Sequence, residues 1–357
     1  MPISNLYFVS KLLERVVSRP TQIQSHVDTN FPLPSQQSAY RSGFSTESAL
    51  AKVYSDLVSS LDSSVDNQSV LAVLDMTAAF DTVDHSILLR RLELSFGISG
   101  VALQWFASYL TDRHHCIRVR DKQSPSQYLP YGVPQGSVLG PLLFIMYIAD
   151  ATTIPEKHGL SSHFYADDVQ LYVSCRRGHT IACVNRVSVC IEDITRWMAS
   201  NRLVVNPIKT DVLWCSSSQP PPDTPLLTSG TTVQPSATLR NLGVLFDTEL
   251  SLAAHVNQLT ARCYSSLRRI KSCRRALTRS ASVTLVNNLI VSKLDYCNSL
   301  FAGCSKQIVD KLQRVLNCAA RVIFGGDRRD HVTPLLGLRD NLHGSEQESG
   351  SHSNFAS

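Results

Sequence analysis

The pattern of apolar and polar positions predicts a chain that contains both helices and short strands. Apolar residues recur three or four positions apart, as on one face of a helix, in seven segments: residues 6–17, 45–61, 88–96, 105–110, 137–149, 187–198 and 256–270. Short apolar runs typical of strands lie at residues 71–74, 164–165, 169–173, 203–205, 212–214 and 241–246.

Two of the predicted strands are followed by acidic residues. The continuous apolar run at 71–74 is typical of a strand buried on both faces, and Asp75 follows it directly. Asp167 and Asp168 lie where the chain must reverse between two short apolar runs. Aspartate is also common in solvated turns, so spacing alone does not decide whether the three carboxylates meet. If the strands are neighbours, the carboxylates form a set of hard oxygen ligands suited to Mg²⁺ rather than zinc.

Composition and length place the chain among globular proteins. It has 357 residues, of which 43% are hydrophobic and 18% are charged, and these fractions exclude wholesale disorder. The formal net charge of +5 is too small to identify a partner. Ten cysteines occur without a C-x-x-C pair, which favours a reduced, intracellular protein. The longest apolar stretch, 138–149, contains a Gly-Pro pair and is too short to span a bilayer, so no membrane partner is expected.

Positive charge is concentrated in and after the last predicted helix. Basic residues recur from Arg262 to Arg279, whereas no acidic residue occurs between Glu249 and Asp295. Such a cluster neutralises phosphate groups and predicts nucleic-acid binding that weakens with salt. A solvated helix face is the alternative interpretation. The lack of compensating acids favours nucleic acid.

Three groups of residues, in order along the chain, resemble motifs of reverse transcriptases from LINE-type non-LTR retrotransposons. They are residues 74–85 (LDMTAAFDTVDH), 132–137 (GVPQGS) and 165–168 (YADD). The resemblance continues through 197–210, 240–244 and 294–300 to about Leu336. It implies an α+β fold of the right-hand polymerase type, with partial fingers, a palm built on a small antiparallel sheet, and a helical thumb.

The resemblance implies a role for each residue that matches these motifs. Asp75 and Asp167 are expected to be metal ligands, with Asp168 as a third carboxylate, for two Mg²⁺ ions or for Mn²⁺ in their place. Phe80 is expected to stand under the sugar of the incoming nucleotide and to exclude a 2′-hydroxyl. Without the motif, an ordinary core phenylalanine is the simpler interpretation. Lys209 is expected near the departing pyrophosphate as a proton donor or charge stabiliser.

Further residues are expected to contact the nucleotide and the nucleic acid. Gln135 and Gly136 would approach the nascent base pair, and the N-terminus of the helix that follows them would favour phosphate. Arg41, in a segment that matches the fingers, is an expected nucleic-acid contact. The basic helical segment resembles the thumb, and its expected contacts with template and primer are Arg262, Arg268, Arg269, Lys271 and Arg275.

The resemblance also predicts the domain organisation. The expected divisions are partial fingers at 1–70, a palm at 71–237 with a finger insertion near 97–131, a thumb at 238–336 and a disordered tail at 337–357. Residues 216–237 resemble a linker in composition, although residues 226–233 could instead close a small hairpin.

Two functions are compatible with this resemblance. The first is an RNA-directed DNA polymerase that extends a DNA primer on an RNA template with dNTPs, in a ribonucleoprotein of the nucleus and cytoplasm. However, Met1 stands where the family pattern has an arginine expected to contact the incoming triphosphate. The first finger segments and the endonuclease domain of such elements are also missing, so a fragment is expected. The second function is therefore a catalytically impaired, nucleic-acid-binding remnant of the same domain.

Overall fold

A computed structural model of the chain describes residue 6 and residues 8–18, 23–217, 220–228 and 230–325. These residues form two compact units. The first comprises the chain up to Gly243 together with Thr248–Leu250, and the second comprises Val244–Asp247 and the chain from Ser251 onward. The predicted tail at 337–357 and the end of the predicted thumb lie outside the described residues. The predicted names and boundaries of fingers, palm and thumb stay predictions.

Helices and strands of different lengths form the first unit. Its helices are α1 (Phe8–Val17), α2 (Ser25–Asn30), α3 (Thr46–Asp62), α4 (His85–Leu94), α5 (Gly100–Leu110), α6 (Gly140–Ile148), α7 (Ile154–Lys157) and α8 (Thr180–Ser200). Its strands are β1 (Asn67–Thr77), β2 (His114–His115), β3 (Arg118–Val119), β4 (Lys122–Gln123), β5 (Gln127–Tyr128), β6 (Ser161–Tyr165), β7 (Asp168–Arg176), β8 (Val204–Ser216), β9 (Leu226–Thr228), β10 (Thr231–Val233) and β11 (Thr238–Asn241). No helix in the described ranges is long and apolar enough to cross a membrane.

A four-stranded antiparallel sheet in the order β6-β7-β1-β8 is the framework of this unit. The long strand β1 pairs with β7 from Asn67, opposite Arg176, to Leu74, opposite Val169. On its other side β1 pairs with β8. The structure confirms the prediction of an α+β fold with a small antiparallel sheet.

Both faces of this sheet are covered, which explains why residues 71–74 are apolar throughout. Ala72 and Leu74 of β1 join the main hydrophobic core, to which buried side chains of α6 and α8 also belong. On the opposite face, Tyr172 of β7 donates a hydrogen bond from its hydroxyl to Asp56 of α3 at 2.6 Å. Successive strand residues point to opposite faces, so a strand covered on both sides must be apolar at every position.

Helix α3 begins and packs as the sequence predicts. Ser45 is its N-cap: the Ser45 hydroxyl accepts from the Ser48 N–H at 3.1 Å, and the Ser48 hydroxyl accepts from the Ser45 N–H at 2.8 Å. Its apolar stripe is fully buried and consists of Leu50, Val53, Leu57 and Leu61. Local signals are sufficient here because both the cap and the stripe lie within the helix.

The second unit consists of one strand and a group of helices. Its elements are β12 (Val244–Asp247), α9 (Ala253–Cys273), α10 (Arg279–Val286), α11 (Ser292–Asp295) and α12 (Lys306–Phe324). The predicted apolar stripe of α9 is buried and includes Val256, Leu259, Cys263, Leu267 and Ile270. Helices α9 and α12 pack against each other.

The structure corrects several predicted bounds. The strands predicted at 203–205 and 212–214 are one strand, β8, because a bulge rather than a turn separates them. The helix predicted from residue 137 begins at Gly140. The strand predicted at 241–246 is divided into β11 and β12 by Leu242 and Gly243, which have φ of +42° and +89°. Within the stretch that resembles a linker, β9 and β10 pair as the alternative hairpin.

Candidate active site

Three carboxylates converge at one end of the four-stranded sheet. The register that places Leu74 opposite Val169 brings Asp75 beside Asp168, the first residue of β7. Asp167 precedes Asp168 in the two-residue turn between β6 and β7. Asp168 is therefore a strand residue and not, as the sequence predicted, part of the turn. The pairing of β1 with β7 is what brings Asp75 close to the other two carboxylates.

Burial and mutual repulsion raise the pKa of two of these carboxylates. Burial, followed by the charges of Asp167 and Asp75, raises the pKa of Asp168 to about 6. The pKa of Asp167 is raised mainly by burial, with the charge of Asp75 acting in the same direction and that of Lys209 in the opposite one. Negative charge is therefore concentrated at this end of the sheet and only partly compensated.

A bulge in β8 brings Lys209 to Asp75. The pairs Val73–Asp211 and Asp75–Asn206 are separated by one residue in β1 but by residues 207–210 in β8. Lys209 is one of these bulged residues. Its Nζ donates to Asp75 Oδ2 at 2.9 Å, although the lysine side chain is 65% exposed. This hydrogen bond and the charge of Asp75 raise the pKa of Lys209, so the lysine retains its proton more firmly than a free side chain does.

A cavity of about 360 Å³ opens beside Asp167. The three residues predicted to contact the incoming nucleotide, Phe80, Gln135 and Gly136, line it together with Asp167. The Phe80 ring stacks on Phe144, with ring centroids 4.4 Å apart and planes inclined by 20°. The structure thus brings the predicted nucleotide contacts to one of the three carboxylates, Asp167. The remaining lining residues are Tyr40, Pro134 and Pro141.

Close backbone contacts dock the loop at 132–136 on the segment that follows β1. Val133 donates its N–H to the carbonyl oxygen of Phe80 at 2.8 Å. Gly132 has a φ of +90°, and a Cβ atom at this position would lie 2.8 Å from the carbonyl oxygen of Asp81. Only glycine permits both this backbone conformation and this approach. Gly132 therefore fixes how closely the loop packs against the segment after β1, and with it the position of the loop residues that line the cavity.

The N-terminus of α6 is already hydrogen-bonded. Glu14 of α1 is 1% exposed, and its Oε2 accepts from the N–H groups of Val138 at 2.5 Å and Leu139 at 3.2 Å. The Ser137 hydroxyl accepts from the Gly140 N–H at 2.9 Å. The prediction that this helix N-terminus favours phosphate is wrong, because a buried carboxylate of the chain itself already occupies that place.

Arg41 lies against its own loop and is not among the residues that line the cavity. Its Nη1 donates to the carbonyl oxygens of Pro34 at 2.8 Å and Gln37 at 2.9 Å. Its guanidinium lies over the Phe44 ring, 4.7 Å from the centroid. These contacts stabilise the loop, and the expected contact of Arg41 with nucleic acid stays a prediction.

The predicted thumb contacts are exposed in the second unit. Four of them lie on the solvent side of α9 and one on the short 3₁₀ segment that follows it; they are Arg262, Arg268, Arg269, Lys271 and Arg275. Within the described part of the chain, none of these five forms an ion pair. Arg274 differs, since it donates to the carbonyl oxygens of Val322 and Ile323, both at 2.9 Å.

Sequence reasoning did not identify Tyr40 or Gln37 as site residues. Tyr40 lines the cavity with a φ of +57°, and burial, followed by the charge of Asp167, raises its pKa. Gln37 is 1% exposed, and its side chain accepts a hydrogen bond from the N–H of Ala166 at 3.2 Å. Tyr40 and Gln37 interact with Asp167 and Ala166, which lie more than a hundred residues away in sequence, so no local pattern indicates their role. The only indication in the sequence was the resemblance of the segment around Arg41 to the fingers.

The donor set at the end of the sheet suits a divalent cation. Carboxylate oxygens are the ligands that Mg²⁺ prefers. The pKa values of Asp167 and Asp168 are raised by burial and then by neighbouring carboxylate charge, and a bound cation would offset both effects. Across the described ranges, however, no three His, Cys, Asp or Glu side chains are already arranged as a metal site. Asp75 is bonded to Lys209 instead. The metal ligands therefore stay a prediction.

Comparison with family models identifies the class of the protein. The family described as "Reverse transcriptase (RNA-dependent DNA polymerase)" matches residues 1–246. The chain therefore belongs to the reverse transcriptase family. Reverse transcriptases are nucleotidyltransferases that act on nucleic-acid templates and primers and generally use divalent metal ions.

Three curated relatives of the chain come from transposable elements of Drosophila melanogaster. The chain is 28% identical, over 98% of its length, to the probable RNA-directed DNA polymerase from transposon BS, and covers 39% of that protein. It is 26% identical, over 91% of its length, to the corresponding protein of transposon X-element and covers 35% of it. The mobile element jockey polymerase is 22% identical over 94% of the chain. The chain thus spans less than half the length of these relatives.

Solved structures of telomerase are also similar to the chain. The telomerase of Candida albicans in complex with a fragment of telomeric RNA is 13% identical, with a TM-score of 0.33 over 96% of this chain and 55% of that one. An apo telomerase of Candida tropicalis, truncated from its C-terminal domain, is 11% identical, with a TM-score of 0.45 over 67% of this chain and 44% of that one. Both scores are low, so the family assignment rests on the sequence match.

Proposed function

We propose that the chain is the RNA-directed DNA polymerase domain of a non-LTR retrotransposon. It extends a DNA primer on an RNA template with dNTPs and releases pyrophosphate. The observation that supports this most directly is the cavity that joins Asp167 to Phe80 and Gln135, because it combines a concentration of carboxylates with a space for a nucleotide. The transposon polymerases among its relatives support the same reaction.

The carboxylates are the proposed reaction centre. Asp75 and Asp167, with Asp168 as a third ligand, hold two Mg²⁺ ions, for which Mn²⁺ can substitute. Such ions, when bound, supply the positive charge that activates the primer hydroxyl and stabilises the leaving oxygen. Lys209 holds Asp75 in position and adds a positive charge beside the phosphates of the nucleotide.

The cavity walls select and orient the nucleotide in this proposal. Phe80, held by its stacking on Phe144, lies under the sugar and leaves no space for a 2′-hydroxyl. Gly136 has a φ of +90° and lacks a side chain, so backbone can approach the nascent base pair there. Gln135 lines the same cavity.

The basic face of α9 is the proposed contact with the template and primer. Its side chains are exposed, and the sequence around them has no acidic residues to compete with phosphate. Binding through phosphates reads the shape and backbone of an RNA:DNA hybrid rather than its base sequence.

Primer extension tests the proposed function. Purified chain is incubated with oligo(dT) on poly(rA), dTTP and Mg²⁺, and binding of the same hybrid is measured in parallel at several salt concentrations. Extension that requires Mg²⁺ or Mn²⁺ supports the proposal. Salt-dependent binding without extension overturns it in favour of the impaired, nucleic-acid-binding remnant. If the chain folds cooperatively but neither binds the hybrid nor extends the primer, both the polymerase and the nucleic-acid-binding remnant are overturned.

A further inference from the structure

One buried side-chain oxygen bonds the backbone beside two of the residues that line the cavity near Asp167. The amide Oε1 of Gln37 accepts hydrogen bonds from the N–H of Ala39 at 2.9 Å and from the N–H of Ala166 at 3.2 Å. Each of these alanines directly precedes a residue that lines the cavity: Tyr40 follows Ala39, and Asp167 follows Ala166. The oxygen therefore links the backbone segment that carries Tyr40 with the backbone segment that carries Asp167.

The turn that presents Asp167 needs such support. Tyr165 pairs with Asp168, which leaves only Ala166 and Asp167 to reverse the chain. Ala166 has a φ of +55°, in the left-handed region where a two-residue hairpin turn normally has glycine. An alanine is strained there and persists only where its surroundings hold it. Ala166 is 4% exposed, and Gln37 bonds its N–H.

The burial of Gln37 indicates that its oxygen is the part that matters. The residue is 1% exposed, and its Nε2 has no hydrogen-bond partner among the described residues. A buried donor without a partner is unfavourable, so an apolar side chain of similar length would satisfy packing alone better than an amide does. The two hydrogen bonds that the Gln37 oxygen accepts offset the unfavourable burial of its Nε2.

The backbone around Gln37 is fixed independently of its side chain. Gln37 forms a parallel bridge with Phe164 of β6. The Ser38 N–H donates to the Phe164 carbonyl at 3.1 Å, and the Phe164 N–H donates to the Gln36 carbonyl at 2.7 Å. Residues 36–38 are thereby held at the edge of the sheet, so a change of the side chain at position 37 removes the link to the turn while the strand contact remains.

From these contacts we infer that Gln37 is a positioning residue for the nucleotide cavity. Its amide oxygen sets the separation of Tyr40 and Asp167 and holds the strained turn that aims Asp167 at the nucleotide. Gln37 contacts neither nucleotide nor metal and acts through the backbone of Ala39 and Ala166. The inference rests on the proposed function, because it assigns a purpose to the distance between two walls of the proposed nucleotide site.

The test compares matched variants at neighbouring positions. Gln37→Met removes the oxygen and keeps the length of the side chain. Gln36→Met makes the same change one residue earlier, where the side chain bonds Glu156 on the surface. Gln37→Met removes both hydrogen bonds and is expected to lower kcat at least about tenfold and to raise KM for dNTP. Gln36→Met is expected to extend primers like the wild type.

Two further measurements separate positioning from general loss of structure. Ala166→Gly in the Gln37→Met background is expected to recover most of the lost kcat, because glycine adopts the left-handed turn without support. Hydrogen exchange, followed by mass spectrometry, is expected to be faster in the peptide spanning residues 165–169 of Gln37→Met, with the thermal transition unchanged.

Specific outcomes overturn the inference. Gln37→Met with wild-type kcat and KM contradicts it, whatever the exchange result. A kcat loss that Ala166→Gly does not recover overturns support of the strained turn as the way in which Gln37 acts. If the wild-type chain extends no primer, the proposed function has failed, and unchanged exchange at residues 165–169 then overturns the role of Gln37 separately.

Discussion

Lys209 donates a hydrogen bond to Asp75 at 2.9 Å, across the two neighbouring strands β8 and β1. The bulge in β8 makes this contact possible. A regular strand would pair its residues one for one with those of β1 and would not place Lys209 beside Asp75. The sequence left open whether Lys209 donates a proton or stabilises charge. The hydrogen bond to Asp75 holds the Lys209 ammonium group beside the carboxylates, an arrangement that suits the second role.

Replacement of Lys209 distinguishes these two roles. Lys209→Met is expected to lower kcat for primer extension about 100-fold, while Lys209→Arg keeps most of the activity, because arginine supplies the charge but does not release its proton. Lys157→Met, an exposed lysine on α7, is the control and should match the wild type. Arginine and methionine variants with equal losses would contradict charge stabilisation and favour proton donation.

Replacement of Phe80 tests the nucleotide wall. Phe80→Val opens space in the cavity, and kcat/KM for ribonucleotides relative to deoxynucleotides is expected to rise about 10- to 100-fold. Phe44→Val makes the same change at an exposed ring outside the cavity lining and should leave the ratio unaltered. An unchanged ratio in Phe80→Val would show that Phe80 is an ordinary core residue.

Two arginines of the basic segment should respond differently to the same substitution. Arg269→Gln removes an exposed charge, so the slope of log binding constant against log salt for an RNA:DNA hybrid is expected to fall by about 1, with stability unchanged. Arg274→Gln removes hydrogen bonds to two carbonyls near the end of α12 and should lower the free energy of unfolding by about 1–3 kcal/mol. Binding curves that coincide for Arg269→Gln and wild type would contradict the phosphate contact.

The lowered pKa of His163 is expected to cause part of the pH dependence of the free energy of unfolding. Burial, followed by the charge of Lys52, lowers its pKa from 6.5 to about 4, and its Nε2 lies 2.7 Å from the Ser38 hydroxyl. Because the folded pKa is depressed, the unfolded chain binds the proton more readily, and stability is lost as pH falls from about 6.5 towards 4.

The expected loss from His163 is about 1 kcal/mol of unfolding free energy between pH 7.5 and pH 5.5. Urea unfolding of wild type and of His163→Gln at both pH values measures it, since the comparison cancels the contribution of other titrating groups. Parallel pH dependence in the two proteins would contradict a buried, neutral His163.

Features that depend on nearby residues could be predicted from the sequence. The cap and stripe of α3 and the buried strand at 71–74 follow from local patterns. The motif residues Phe80 and Gln135 were expected at the nucleotide and do line the cavity with Asp167. In each case the signal lies within one element or one continuous motif.

Features that depend on distant partners could not be predicted. Helix α1 has the expected spacing, but its apolar residues Val9 and Leu12 are 63% and 50% exposed, whereas Glu14 is buried. The reason is that Glu14 bonds amides near α6, which no pattern within α1 reveals. The strained turn at Ala166 likewise depends on Gln37, more than a hundred residues earlier.

The carboxylates at the end of the sheet are the central claim, and substitution by asparagine tests it most directly. Asp75→Asn and Asp167→Asn are compared with Asp211→Asn, an exposed residue of β8 paired with Val73. Extension of oligo(dT) on poly(rA) is measured together with hybrid binding and thermal unfolding. We expect the first two variants to lose at least about 100-fold in kcat while still folding and binding hybrid, and Asp211→Asn to match the wild type. Wild-type extension by Asp167→Asn would contradict the account.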